Sequence, residues 1–143
     1  MITIIDVDPG NVCGIAILEP DFTFNSNELS PMMTTRVVER VINERTRCLI
    51  ACERYDINGK KVLTQQLEAL YTIGALRHIA AQYDVTFLLQ NRSDAKKVTD
   101  YTLKNFGWYK KTKDGHANDA ARHVCQTLLT HYPARYLELL DRI

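Results

Sequence analysis

The sequence predicts an α/β fold built on a five-stranded mixed sheet, its first three strands antiparallel and helices flanking it. Two observations predict it. Apolar runs of strand length stand at residues 2–7, 14–18, 49–52 and 85–89, and a short alternating stretch, Phe22-Thr23-Phe24, follows the second of them. The early strands are joined by tight connections, whereas segments of helical length separate the later ones. Antiparallel neighbours can be joined by a turn but a parallel neighbour needs a crossover, so the pairing changes from antiparallel to parallel midway along the chain. At 143 residues the chain is expected to form one domain, 1–143.

Each element has its own justification. The first strand ends in Asp6-Val7-Asp8-Pro9-Gly10, and Gly10 and Gly14 bracket the connection to the second strand, which Glu19-Pro20-Asp21 ends. Ser30-Pro31 reads as an N-cap followed by proline at the first helical position. Val37, Val38, Val41 and Ile42 then form an apolar stripe opposed by Arg36, Glu39, Arg40 and Glu44, giving a helix over 31–45. The strand at 49–52 runs into Glu53 and a polar loop containing Tyr55, a turn at Asn58-Gly59, and Lys60 and Lys61 at its tip. The helix predicted over 62–82 is apolar nearly all round, through Leu63, Leu67, Leu70, Ile73, Leu76 and Ile79. A surface helix needs one stripe only, so this one is either centrally buried or covered by a partner, a second copy of the chain being the candidate. Beyond the fifth strand, Arg92 precedes a helix over 95–105 bearing Lys96 and Lys97, and a loop with Trp108, Tyr109, Lys110 and Lys111 leads to a long helix over 117–131 that Pro133 ends. Trp108 and Tyr109 read either as packing anchors or, beside the lysines, as a nucleic-acid contact.

Composition excludes several classes. The chain is 45% apolar and 24% charged, an ordinary globular balance. Its net charge of +1 conceals an asymmetry, because residues 1–53 carry four Lys/Arg against eight Asp/Glu and residues 90–125 carry eight against four. An acidic region beside a basic one suits a metal-dependent site acting on a polyanion, and equally charge complementarity within the fold. Cys13, Cys48, Cys52 and Cys125 show no paired CxxC spacing and read as reduced core residues. Met1-Ile2-Thr3 carries no basic leader and no apolar run reaches ~18 residues, so a soluble cytoplasmic protein without membrane association is expected.

Acidic side chains at element ends carry the chemistry. Strand side chains alternate, so Asp6 and Asp8 share a face, and two unpaired carboxylates buried there call for a positive partner. A metal ion fits, although Asp before Pro-Gly also shapes turns. Glu53 ends another apolar strand. His116 and Asp119 are three apart, on one face of the last long helix's first turn, where alanines on either side permit close approach to the sheet. Asp8, Glu53, His116 and Asp119 together make an oxygen-rich ligand set with one imidazole.

Asp8-Pro9-Gly10 after an apolar strand, Gly14 opening the next, Glu53 ending the fourth strand, Gly74 within the following helix and His116-Ala117-Asn118-Asp119-Ala120-Ala121 closing the series resemble the RuvC-type Holliday junction resolvases of the ribonuclease-H-like superfamily. The resemblance spans nearly the whole chain and rests on motif order and spacing. It implies a ribonuclease-H-like fold and a homodimeric endonuclease that cuts four-way DNA junctions in symmetric pairs, with Mg²⁺ or Mn²⁺ as cofactor, two ions per site. Asp8 would bridge the ions, Glu53 and Asp119 would hold one each, and His116 would stand beside Asp119. It further implies that Tyr55, Lys60, Lys61, Arg92, Lys96 and Lys97 contact branched DNA; Lys110 and Lys111 join them as the basic residues beside Trp108 and Tyr109, in an interval that departs from the family's basic segment. Asp6 departs from the family's usual glycine and reads as an accessory charge. Such a compact enzyme suits a viral or bacterial genome-processing role. Two alternatives keep the fold or the site: a ribonuclease-H-like nuclease for flaps, other branched DNA or RNA–DNA hybrids, and a junction-binding protein that does not cleave. The Asp-x-Gly phosphate loop of actin-like ATPases is also similar to Asp8-Pro9-Gly10, but those enzymes need two domains and this chain is too short for them.

Overall fold

A computed structural model describes residues 1–56 and 64–143. The elements are β1 (Thr3–Asp8), β2 (Cys13–Leu18), β3 (Phe24–Leu29), α1 (Pro31–Glu44), β4 (Cys48–Glu53), α2 (Thr64–Gln82), β5 (Thr86–Gln90), α3 (Arg92–Ala95), α4 (Asp100–Asn105), α5 (His116–His131) and α6 (Pro133–Leu140). The Asn58-Gly59 turn, Lys60, Lys61 and the start of the helix expected at 62 lie outside the described residues. Among the described residues the strands form one sheet in the order β3-β2-β1-β4-β5, antiparallel across β3, β2 and β1 and parallel from β1 through β4 to β5. This is the mixed sheet that the connection lengths predict.

Alternation along β1 sorts its side chains between two cores. Ile5 and Val7 pack with Val38 of α1 and with Ile73, Leu76 and Ile79 of α2 on one face. Ile4 packs with Val124, Cys125 and Leu128 of α5 on the other, and by the two-residue period Asp6 and Asp8 share that second face. A buried carboxylate row thus lies between the central strand and the last long helix. Helix α1 begins where its cap predicts: Ser30 Oγ accepts from the Met33 amide at 3.3 Å and Pro31 occupies the first turn. Ser30→Ala is expected to lower stability by about 1 kcal/mol, read as a shift in the urea midpoint at constant slope.

Two expectations need correction. The third strand is Phe24–Leu29, not the stretch around Phe22-Thr23-Phe24. Phe22 adopts φ 73° inside a turn closed by the Phe22 amide on the Glu19 carbonyl and the Glu19 amide on the Thr23 carbonyl. Hydrogen bonding to β2 then recruits a polar segment, with only Ser26 buried, as the sheet edge. The helix expected over 95–105 is two short helices, α3 and α4, because Thr99 caps a new start by accepting from the Thr102 amide. Trp108 is an anchor: it is buried and stacks on Phe24 with ring centroids 4.2 Å apart.

Candidate metal centre

Helix α5 approaches the sheet over small residues. Gly14 and Ala16 of β2 flank Asp8 and Asp6 of β1, Ala51 of β4 lies on the other side of Asp6, and α5 contributes Ala117, Ala120 and Ala121, all buried. Side chains of that size let the helix start close to the strand ends. The start is also held from the edge strand, where Glu28 Oε1 accepts from the Ala117 amide at 3.3 Å, and an anion at this end of a helix is electrostatically favoured. Burial alone would raise the Glu28 carboxyl, but hydrogen bonds from Thr112 and from the Ala117 and His116 amides prevail and hold it below its usual range. Gly115, at φ 75°, supplies the left-handed turn into the helix.

Asp8, His116 and Asp119 converge, each offering a ligand atom within 4.8 Å of the others. His116 Nδ1 lies 2.9 Å from Asp8 Oδ2. Glu53 joins these three in lining one open cleft of about 380 Å³, together with Tyr55 and Arg92. Burial pushes the Asp8 carboxyl upward, the hydrogen bond from His116 opposes this, and the nearby charges of Glu53 and Asp119 push it up further. The Asp8 hydrogen bond, in turn, raises His116 against the effect of burial. Carboxylates crowded closely enough to raise the proton affinity of Asp8, joined by one imidazole, have the donor chemistry of a Mg²⁺ or Mn²⁺ site. The residues present therefore fit a divalent cation.

Three carboxylates of the cleft, Asp8, Asp119 and Glu53, each have a cationic or imidazole partner on α5. His116 serves Asp8, Arg122 Nη1 meets Asp119 Oδ1 at 2.6 Å, and His123 Nε2 meets Glu53 Oε2 at 2.8 Å. Sequence reasoning missed Arg122, His123 and Glu28. A signal existed for His123, because His116, Asp119, His123 and Thr127 follow one another at helical spacings of three and four on a single face.

Asp6 lies beneath the cleft, fully buried, with Oδ2 accepting from Thr127 Oγ1 and Oδ1 without a partner among the described residues. Burial raises its carboxyl to about 7 against the opposing charge of His123 and the Thr127 hydrogen bond. Between its ordinary value of 3.8 and about 7 the folded protein holds a proton that the unfolded chain has released, so stability falls as pH rises. Asp8, also raised, acts with the same sign. In EDTA the unfolding free energy is therefore expected to fall between about pH 5 and 7, by up to ~1.4 kcal/mol per pH unit for the Asp6 proton. Asp6→Asn should flatten that slope in urea titrations; an unchanged slope would remove Asp6 as its source.

The remaining expected DNA-contacting residues divide. Tyr55 and Arg92 line the cleft, and Lys96 borders a smaller recess with Glu53, Arg92, Asp119 and Arg122. Lys97 pairs with Asp94 at 3.8 Å. Lys110 is engaged with the fold, its Nζ donating to the Ser26 carbonyl and its backbone clamped at both ends by Asn118. Lys111 is exposed on the same loop. No helix among the described residues is long and apolar enough to cross a membrane.

No protein-family model and no curated protein matches the sequence. Among solved structures, the chain is similar to T. thermophilus RuvC in complex with a Holliday junction substrate, with a TM-score of 0.72 and 10% identity over 94% of this chain and 97% of that one. It is also similar to a second Thermus thermophilus RuvC structure, with a TM-score of 0.59 and 13% identity over 93% and 95% of the two chains. The likeness establishes that the chain has the RuvC, ribonuclease-H-like fold that its motif order implies.

Proposed function

We propose that this protein is a metal-dependent, structure-selective endonuclease that resolves four-way DNA junctions by paired phosphodiester hydrolysis. The observation that carries the reading is the convergence of Asp8, His116 and Asp119, with Glu53 in the same cleft, on the fold that RuvC presents to its Holliday junction substrate. Asp8, Glu53 and Asp119 would hold the ions, with His116 beside Asp119 as a further ligand or as a group that positions water. Mg²⁺ or Mn²⁺ held there supplies Lewis-acid stabilisation of charge on the attacking and departing oxygens.

The chain's own residues do the rest. Hydrolysis joins a water oxygen to phosphorus and breaks the bond to the 3′ oxygen, leaving a 5′-phosphate and a 3′-hydroxyl; one proton leaves the water and one reaches the departing oxygen. An Asp8 hydrogen bond at His116 Nδ1 fixes that nitrogen as the donor and leaves Nε2 as the basic atom, available as a ligand or proton acceptor. Arg92, 71% exposed at its side chain and near Glu53, is placed to receive a backbone phosphate, and Tyr55 offers a ring on which an unpaired base can stack. Labelled four-way junction competed against flap, plain duplex and RNA–DNA hybrid in Mg²⁺ tests the substrate. Selective cutting of the junction is expected. Preference for flaps or hybrids would overturn the junction assignment, and tight junction binding without any cutting would make this a binding protein.

Symmetric cutting needs two sites, and α2 is the proposed contact between two copies. Ile73 and Leu76 face the core, while Leu67 and Tyr71 are exposed on the opposite side, so the covering partner meets Leu67 and Tyr71. Leu67→Glu with Tyr71→Glu is expected to give monomers by light scattering and uncoupled nicks. Persistence of the dimer would place the interface elsewhere.

A further inference from the structure

Beneath the cleft runs a buried polar chain that the proposed chemistry leaves without a role. His123 is fully buried, with Nε2 2.8 Å from Glu53 Oε2 and Nδ1 2.7 Å from Gln90 Oε1. Gln90, the last residue of β5, donates through Nε2 to Thr127 Oγ1, which turns its amide oxygen toward His123. Thr127 donates onward to Asp6 Oδ2 at 3.2 Å. The chain Asp6, Thr127, Gln90, His123 and Glu53 therefore links β1, α5, β5 and β4, and its outer end is a carboxylate that lines the cleft.

Glu53 is the only member at the cleft. Its Oε2 is taken by His123, and its Oε1 lies on the side of Arg92, 4.0 Å from that residue's Nε. The imidazole is held in turn on its other nitrogen by Gln90, whose amide is fixed by Thr127. A glutamate has three rotatable side-chain bonds, and an unsupported one would sample several orientations at the cleft. A ring clamped at both nitrogens removes that freedom. Burying this many polar groups, with Asp6 Oδ1 left unpaired among the described residues, is costly for a core that apolar residues would fill more stably.

Building on the metal-dependent reading, we propose that His123 is a positioning residue that locks Glu53 with one oxygen turned inward and the other presented to a divalent cation. His123 does not touch the reacting atoms. It acts through Glu53, and Gln90 and Thr127 hold it in place.

The test is a double-mutant cycle on Mn²⁺ binding, read from the electron paramagnetic resonance signal of free Mn²⁺, in the absence of DNA. His123→Gln should weaken binding roughly 10- to 100-fold, the range expected for loss of a group that orients a ligand. In a Glu53→Gln background the same change should have no further effect, because the residue it orients no longer ligates. Gln90→Met, which frees the other side of the ring, should weaken binding in the same direction and serves if His123→Gln does not fold. Leu128→Ala, a core change on the same helix, should lower stability and leave Mn²⁺ affinity unaltered. Unchanged Mn²⁺ affinity in folded His123→Gln or Gln90→Met, or a loss that persists in full without Glu53, overturns the positioning role while leaving the metal site standing. A wild-type protein that binds no Mn²⁺ overturns the metal reading and this inference with it.

Discussion

Gly14→Ala is expected to destabilise the protein by about 3 kcal/mol or more and to abolish divalent-metal binding. Gly14 pairs with Asp8 across β1 and β2, directly under the start of α5. A Cβ there would stand 1.9 Å from the His116 carbonyl oxygen, 2.4 Å from its carbonyl carbon and 3.1 Å from the Ala117 nitrogen. These are backbone atoms, so no side-chain rotation relieves the overlap and the helix start must move. His116 and Asp119 lie within that first turn, and their convergence with Asp8 moves with it. Urea denaturation and Mn²⁺ binding measured on one preparation check both effects. Wild-type stability with intact metal binding would show that α5 does not sit as closely on β2 as described.

Asp8→Asn is expected to act in opposite directions on stability and activity. Cleavage should drop by at least ~10³, because the residue that joins His116 to the carboxylate cluster loses its charge, a loss of about 4 kcal/mol in transition-state stabilisation. In EDTA the variant should nevertheless be more stable than wild type at pH 7. Asp8 has its carboxyl raised chiefly by burial, so its ionised form opposes folding there, and a neutral amide removes that term. Added Mg²⁺ should then reverse the order, since only wild type gains the binding free energy, ~2.7 kcal/mol at 100 times the dissociation constant. Thermal melts with EDTA and with Mg²⁺ give both comparisons; a variant less stable than wild type in EDTA would mean that Asp8 is held by hydrogen bonding rather than strained by burial.

Much of the site was legible because each of its residues is marked by local chemistry. Asp8 and Glu53 end apolar strands, and His116 and Asp119 open a helix rich in alanine, so their positions at element ends marked them together as candidates. His123 and Gln90 were not legible in this way. Their contacts cross 70 positions to Glu53 and 33 positions between each other, and although His123 shares a helical face with His116 and Asp119, that spacing does not show which strand residues it meets. The edge strand was misplaced for a related reason. Asn25, Ser26 and Asn27 have weak strand preference of their own, and pairing with β2 overrides it. Helix α2 was read as apolar nearly all round, and only the fold shows that Leu67 and Tyr71 face away from the core that holds Ile73 and Leu76. The break at Thr99 carried a legible cap that lysine and alanine helix preference obscured.

The most direct test of the central claim is to map incisions on both strands of a labelled four-way DNA junction in Mg²⁺, with Asp119→Asn as the matched control. Paired cuts at symmetry-related positions that vanish in the variant are the predicted result. Cuts that survive in Asp119→Asn, or a junction bound tightly and left intact by the wild-type protein, would contradict it.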